Sequence, residues 1–325
     1  MHYLGAMKLE EGLRLFIERR TSACWPLTPQ MNFPNHAPFQ TKCLICFSVV
    51  AFGLLAGSTS MLADGNDQKF IHQLVHDVVA TEVKAQEEDQ SLWQYRQTKS
   101  QEGKNELIEV IETKQGSLQR IVAVNGHPLE PGPEQNEDAR IQHLLHDREA
   151  FQKQRRKEQQ DFAEELRLLQ MLDEAFIYQD EGKDGTLRKL NFKPNRAFHP
   201  PNHEGEVFHH MEGTVWLDME QKRLVRMSGV LTSDVKFGWG VLGHLAKGGT
   251  FVVEQREVGK GHWELTRLDV DMNGKALFFK TIEVKQAVRN FGFKPVSAEV
   301  TLQQAAEILK RNSVASEGRD SAARH

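Results

Sequence analysis

The sequence predicts an α+β protein built on one large curved antiparallel sheet, an incomplete β-barrel, with an N-terminal helix, a long helical insertion and a short C-terminal helix. Three observations predict it. Apolar residues recur at helical spacing over residues 67–90, a charged helix-forming stretch occupies residues 137–174, and the chain beyond residue 174 alternates apolar and polar residues with period two between glycine-marked turns.

In the first of these segments Ile71, Leu74, Val75, Val78, Val79 and Val83 stand three or four apart, which lines one face of a helix. Leu92 to Lys99, Glu106 to Thr113 and Leu118 to Val124 then read as a meander of strands, punctuated by Glu102-Gly103-Lys104 and Gln115-Gly116. Asn125-Gly126 with Pro128, Pro131 and Pro133 closes it, because proline lacks the donor that a continuing ladder needs. From Glu137 to Glu174, Leu144, Phe151, Phe162, Leu166, Leu169 and Leu172 keep helical phase. One unbroken helix of that length would span about 55 Å, so a break near Asp147 or a projection into solvent is expected. The charge run QKQRRKEQQDFAEE reads as a solvated face, and helix 137–174 is the segment that would carry a protein partner.

Period two then dominates. Val215, Leu217 and Met219 share one side of a strand, as do Val225, Met227, Leu231, Val235 and Phe237 of the next. Asp184-Gly185, Gly259-Lys260-Gly261 and above all Asn273-Gly274 read as hairpin turns, since a type I′ turn needs positive φ at both central residues. A short helix, Leu302 to Leu309, starts at Thr301 as N-cap, and 311–325 read as a disordered tail. The sum is about nine or ten strands in a single domain over residues 64–310, with helices on the concave side.

Before this domain the apolar run Cys43 to Ala56 gives way to Gly57, Ser58, Thr59 and Ser60. It is shorter than the roughly 20 residues of a membrane span and fits a secretory signal cleaved between Ser58 and Ala63. Residues 1–63 are therefore expected to be an extension plus signal peptide, with Met31 as the true start and a periplasmic or cell-envelope location. All three cysteines, Cys24, Cys43 and Cys46, precede the expected cleavage, so the domain has no disulfide and no thiol nucleophile. With 41 Lys and Arg against 45 Asp and Glu the chain lacks the basic excess of a nucleic-acid binder.

The element order over residues 67–300, with strand-turn-strand units such as MEGTVWLDMEQKRLVRMSG, resembles the lipoprotein-localisation-factor family (LolA and LolB) and similar lipoprotein-sorting proteins. That resemblance implies an incomplete β-barrel folded around helices and holding an acyl chain, with lipid or lipoprotein as partner and a membrane surface nearby. The helical insertion at 137–174 departs from the family pattern. The chain also resembles a group of exported bacterial proteins with no assigned activity.

Residue patterns for chemistry are sparse. His199, His203, His209 and His210 cluster within FHPPNHEGEVFHH, but Pro200 and Pro201 forbid the helix that would place His199 and His203 on one face, and adjacent His209 and His210 would diverge on a strand. Asp269, Asp271, Asn273 and Gly274 start a calcium-loop pattern whose twelfth position is Lys280 rather than glutamate. No G-x-S-x-G elbow and no phosphate loop is present. Neither a catalytic residue, a metal site nor a cofactor is expected. The glycine-rich stretch from Phe237 to Phe251 supplies the candidate ligand-binding residues Phe237, Trp239, Leu242, Leu245 and Phe251, as an apolar flap over the sheet or equally as a plug of the domain's own core. The leading reading is a non-enzymatic envelope protein binding an apolar ligand in the hollow of the sheet. A structural or adaptor protein with a filled core comes second, and a metal-dependent hydrolase third.

Overall fold

The structure, a computed structural model, describes residues 65–101, 103–202, 205–237, 243–276 and 280–322. The expected signal segment lies outside them. Helix α1 (Gly65–Glu88) leads into β1 (Trp93–Gln101), β2 (Lys104–Thr113), β3 (Gly116–Val124) and the short β4 (His127–Pro128). Helices α2 (Pro131–His146), α3 (Arg148–Gln170) and α4 (Leu172–Ala175) come next, then β5 (Phe176–Asp184) and β6 (Leu187–Pro194). A 3-10 turn, Gly205–His210, precedes β7 (Met211–Asp218) and β8 (Arg223–Leu231). The chain continues through β9 (Val235–Phe237), β10 (Gly243–Leu245), β11 (Thr250–Gly259), β12 (His262–Ala276) and β13 (Lys280–Pro295) to α5 (Leu302–Ala322).

These strands form one 13-stranded sheet in the order β4-β3-β2-β1-β13-β12-β11-β8-β7-β6-β5, with β9 and β10 attached to the far end of β12. Antiparallel pairing runs throughout, and the sheet is not closed into a barrel. The N-terminal meander joins the second, larger one where β1 pairs with β13, so the first and last strands meet in mid-sheet.

Helix α1 fills the concave face. Ile71, Leu74, Val75, Val78 and Val79 are all buried against Tyr178, Phe192, Val215, Met227, Phe251, Leu268 and their neighbours. Each such side chain is worth about 1.5 to 3 kcal/mol when fully buried. The next stripe position after Val78 holds Glu82, only 2 % exposed, and its carboxylate takes a two-pronged ion pair from Arg223 at 3.0 Å on both bonds. Glu82 also accepts from the Leu224 backbone N–H and the Gln255 amide. A carboxylate with four donors can be buried where a bare one could not. This anchor also explains the start of β8: Arg223 rather than an apolar residue turns inward, and next to it β8 carries a bulge at Val225, the residue left over where Trp216 pairs with Arg226 and Leu217 with Leu224.

Helices α2 and α5 cover one face of the β1–β3 wing, so helices are not confined to the side of the sheet that α1 occupies. Ile111 and Leu118 pack with Ile141 of α2 and Ala305, Ala306 and Leu309 of α5 on one face. Trp93, Tyr95, Ile108 and Val110 occupy the other. The insertion breaks at Asp147, whose side chain caps α3 by accepting from the Glu149 and Ala150 N–H groups. Its start is earlier than predicted, because Pro131 and Pro133 sit in the first turn of α2, where their missing donors cost nothing. Thr301 and Gln304 form a reciprocal capping box, and α5 runs on past Leu309 to Ala322, with Asn312 donating to Glu109. Helix thus replaces much of the expected disordered tail.

The two Asn-Gly pairs behave oppositely. Asn125 and Gly126, at φ 52° and 80°, make the two-residue turn between β3 and β4. Asn273-Gly274, predicted as a hairpin turn, lies inside β12, opposite Glu283 and Ile282. Glycine is needed there because a Cβ would stand 2.3 Å from the His244 carbonyl oxygen of β10. Asp269 is engaged by Arg267 of its own strand and by Arg289 of β13, and Asp271 by Lys285 of β13, so the aspartates of the calcium-like pattern are held in ion pairs.

Changing Glu82 to Ala strands Arg223 among buried groups and should cost about 3 to 5 kcal/mol. Replacing both residues by Met should recover a large part of that loss. Urea unfolding of the three proteins checks both outcomes; a Glu82→Ala protein as stable as the original would show that the pair does not anchor α1.

Candidate functional site

Among the described residues a cavity lies at each end of α1. The larger, about 670 Å³, lies at its N-terminal end, between the helix, β5 and the segment after β6. Its apolar walls are Ile71, Phe176, Ile177, Tyr178, Ala197 and Phe198, and its rim carries Lys69, His72, Asp173 and Glu174. Local hydrogen bonds hold these walls in place. Asn195 ends β6 by donating from its side chain to the Glu174 carbonyl and accepting from the Ala197 N–H, and the Phe198 N–H returns to the Asn195 carbonyl. The Tyr178 hydroxyl donates to the Leu172 carbonyl at 2.7 Å, fixing α4 at the mouth. Ile177 is 56 % exposed and Phe70, one residue from the wall residue Ile71, is 53 % exposed.

The second cavity, about 300 Å³, lies at the C-terminal end of α1, between that helix, α3 and the β1–β13 seam. Tyr95, Phe162, Trp263 and Phe293 supply its aromatic surface. Tyr95 stacks on Phe293 at 5.0 Å, and the Arg223 guanidinium lies 5.4 Å from the Trp263 ring. Glu112 is fixed by the Trp93 backbone N–H at 3.0 Å, and Trp263 by its donation to Gln221. Burial, and then the charges of Glu112, Glu264 and Glu158, hold the Tyr95 phenol well above its ordinary range.

The glycine-rich stretch is only partly visible. Trp239 and Leu242 lie outside the described residues, and Phe237 is described only as the backbone end of β9. Leu245 and Phe251 are 1 % and 7 % exposed and belong to the main core. Phe251 lies over Gly229, where a Cβ would meet its ring at 2.6 Å, and Leu245 lies over Gly274. These two residues plug the core, and neither lines either of the two cavities.

The histidines do not converge. His199 lines the larger cavity, His203 lies outside the described residues, and His209 and His210 sit on the 3-10 turn with rings at 89° to one another. Among the described residues no three histidine, cysteine, aspartate or glutamate side chains come close enough to hold a metal. His210 has a buried Nδ1 without a partner, and burial pushes its pKa down to about 4. His76, by contrast, is raised by its 2.8 Å hydrogen bond to Asp173 and by that carboxylate's charge. The charged face of α3 is mostly open, Gln152, Lys153, Arg155 and Arg156 all being exposed, while Asp161 and Glu165 turn inward.

Sequence reasoning missed the decisive residues of both ends. Glu82 had a signal, a charge on the apolar stripe of α1. Tyr95, Ile177, Phe198 and Trp263 had none, because nothing local distinguishes a wall residue from a core residue.

No family model matches the chain, and no curated protein matches it. Among solved structures it is similar to a DUF1329 family protein from Desulfovibrio piger, with 9 % identity, 70 % of this chain and 94 % of that one covered, and a TM-score of 0.25. A likeness of that size transfers neither family nor activity.

Two measurements test these assignments. Phe251→Ala should leave a cavity and cost about 3 to 5 kcal/mol, read by chemical denaturation. His210 resists protonation only when folded, so its contribution is present above the ordinary imidazole pKa of 6.5 and is lost as pH falls from there toward about 4. His76 works in the other direction, its contribution being present below 6.5 and lost as pH rises through its raised value, so it adds no slope in the acid window. The melting temperature should fall between pH 6.5 and 4, and His210→Phe should flatten that fall; an identical slope in the variant would remove His210 as its source.

Proposed function

We propose that this chain is an exported, non-enzymatic cell-envelope protein that binds an apolar ligand, a lipid or lipoprotein acyl chain, in the groove at the N-terminal end of α1. The observation that carries this reading is the 670 Å³ groove itself, with apolar walls, a charged rim and Ile177 exposed at its side. Its volume falls within the several hundred Å³ of small-molecule sites. The ligand's place differs from the one the sequence suggested, because α1 already fills the hollow of the sheet. No helix among the described residues is long and apolar enough to cross a membrane, and the apolar run at Cys43 to Ala56 supports export rather than anchoring.

The filled concave face favours a second reading, an envelope adaptor that needs no small ligand. One experiment separates the two. Cell fractionation should place the protein in the envelope, and the purified protein should bind a fluorescent fatty acid saturably. Ile177 is exposed, so Ile177→Asp should change stability by no more than about 0.5 kcal/mol. A carboxylate placed against an acyl chain should nevertheless weaken binding at least about tenfold. Absence of saturable binding, or equal binding by the variant, would leave the adaptor.

A further inference from the structure

The two faces of α3 differ in the sign of their charge. Outward it presents the bases Arg148, Lys153, Arg155, Arg156 and Arg167, all exposed, against one exposed acid, Glu149. Its other acids turn the opposite way. Asp161 and Glu165 are buried, Glu158 and Glu164 are half-buried, and Asp161 is paired with Lys157. The exposed positions Arg148, Gln152, Arg156, Gln159, Ala163 and Arg167 stand three or four residues apart, so they share one face along the 23 residues of the helix. That face is about 35 Å long.

An exposed helix whose charges serve only its own stability sets glutamate four residues from lysine or arginine. Here glutamine stands four residues after each of three outward arginines: Gln152 after Arg148, Gln159 after Arg155 and Gln160 after Arg156. Among the described residues no ion pair engages Arg148, Lys153, Arg155, Arg156 or Arg167. Arg148 also stands in the first turn, at the positive end of the helix dipole, where a base gains nothing for the helix. The whole chain has more acids than bases, 45 against 41, so the basic excess is local to this face.

We propose that the outward face of α3 docks on an anionic phospholipid surface, its arginines meeting the lipid phosphates. Arginine outnumbers lysine on the face, and its planar fork matches two oxygens of one phosphate. The exposed positions of α3 carry no aromatic or large aliphatic side chain, which a stable protein interface needs at its centre. A charged bilayer requires only basic residues held at its surface. The opposite face of α3 packs on α1, so the bases are presented on a fixed element. The helix leads directly into α4, whose Asp173 and Glu174 stand on the rim of the larger groove. The docking face stands whether or not that groove takes an acyl chain.

The test is sedimentation of the full chain at low ionic strength with vesicles of equimolar phosphatidylglycerol and phosphatidylcholine, and with vesicles of phosphatidylcholine alone. The apolar run Cys43 to Ala56 meets both kinds of vesicle alike, so the comparison isolates charge. Binding to the anionic vesicles should be at least about tenfold tighter, and the difference should vanish at high salt. Arg148→Gln, Lys153→Gln and Arg156→Gln should each weaken anionic binding about fivefold, whereas Glu149→Gln should strengthen it. Lys236→Gln, which removes the same charge from β9, should leave it unchanged. Thermal unfolding confirms that each variant is folded; should one fail to fold, the others decide. Arg156→Gln should bind a fluorescent fatty acid as the unaltered chain does, so the face and the groove can fail separately. The proposal is overturned by equal affinity for the two kinds of vesicle, by a preference that survives high salt, or by unaltered affinity in the folded α3 variants. An equal loss in Lys236→Gln also overturns it, since net charge and not this face would then be at work. Tighter binding of double-stranded DNA or of polyglutamate than of anionic vesicles would assign the face to a nucleic acid or an acidic protein instead.

Discussion

Helix α1 sits in the concave face of the sheet, and the Glu82 carboxylate sets where it stops. Its apolar stripe would pack against the sheet at more than one axial position, because hydrophobic burial is not directional. The paired hydrogen bonds from Arg223, with those from Leu224 and Gln255, are directional and select one. The contrast between the two ends of the molecule results from that choice. With Glu82 fixed on β8 and β11, the N-terminal turns of α1 reach β5 and leave the apolar groove. The C-terminal turn reaches the β1–β13 seam and leaves the acidic cavity.

The rest of the polar interior repeats the same device on the other face of the sheet. Arg120, 1 % exposed, binds Asp138 and Glu134 of α2, and Lys310 of α5 also reaches Asp138. Glu137 accepts from the Ile121 N–H and pairs with Arg140. Through these contacts α2 is tied to β3, and Asp147 then starts α3 across the β2–β3 turn, where Phe151 rests against Gly116. Helix α3 can thus send Phe162 and Glu165 toward the acidic cavity while its charged face stays in solvent. Pairing of buried charges costs desolvation that an apolar contact would not, so their yield is placement rather than net stability.

Small residues do the complementary work of letting large ones approach. Gly213 and Gly229 face each other across β7 and β8, and the rings of Phe192 and Phe251 lie over them. Without those glycines the aromatic layer under α1 would stand farther from the strands, and the helix with it.

The sequence by itself determined the elements. Period 3.6 over residues 67–90, period two across the strands and glycine at most turns are local consequences of backbone geometry, and the α+β class with an open antiparallel sheet results from them. The break at Asp147 was legible for the same reason, since a capping side chain acts within three residues. Tertiary structure decided what depends on distant neighbours. Asn273-Gly274 carries every local mark of a turn, yet it runs straight through β12, paired with β13 on one side and β10 on the other, and only the close pairing with β10 shows why glycine is there. Leu245 and Phe251 looked equally like a flap and a plug; their burial against Gly274 and Gly229 made them core. Glu82 and Arg223 are 141 residues apart, and Tyr95 faces carboxylates from three separate elements. A local pattern encodes which face of an element is apolar, but a site is made of the few side chains that packing leaves at an edge, and no local pattern records which those are.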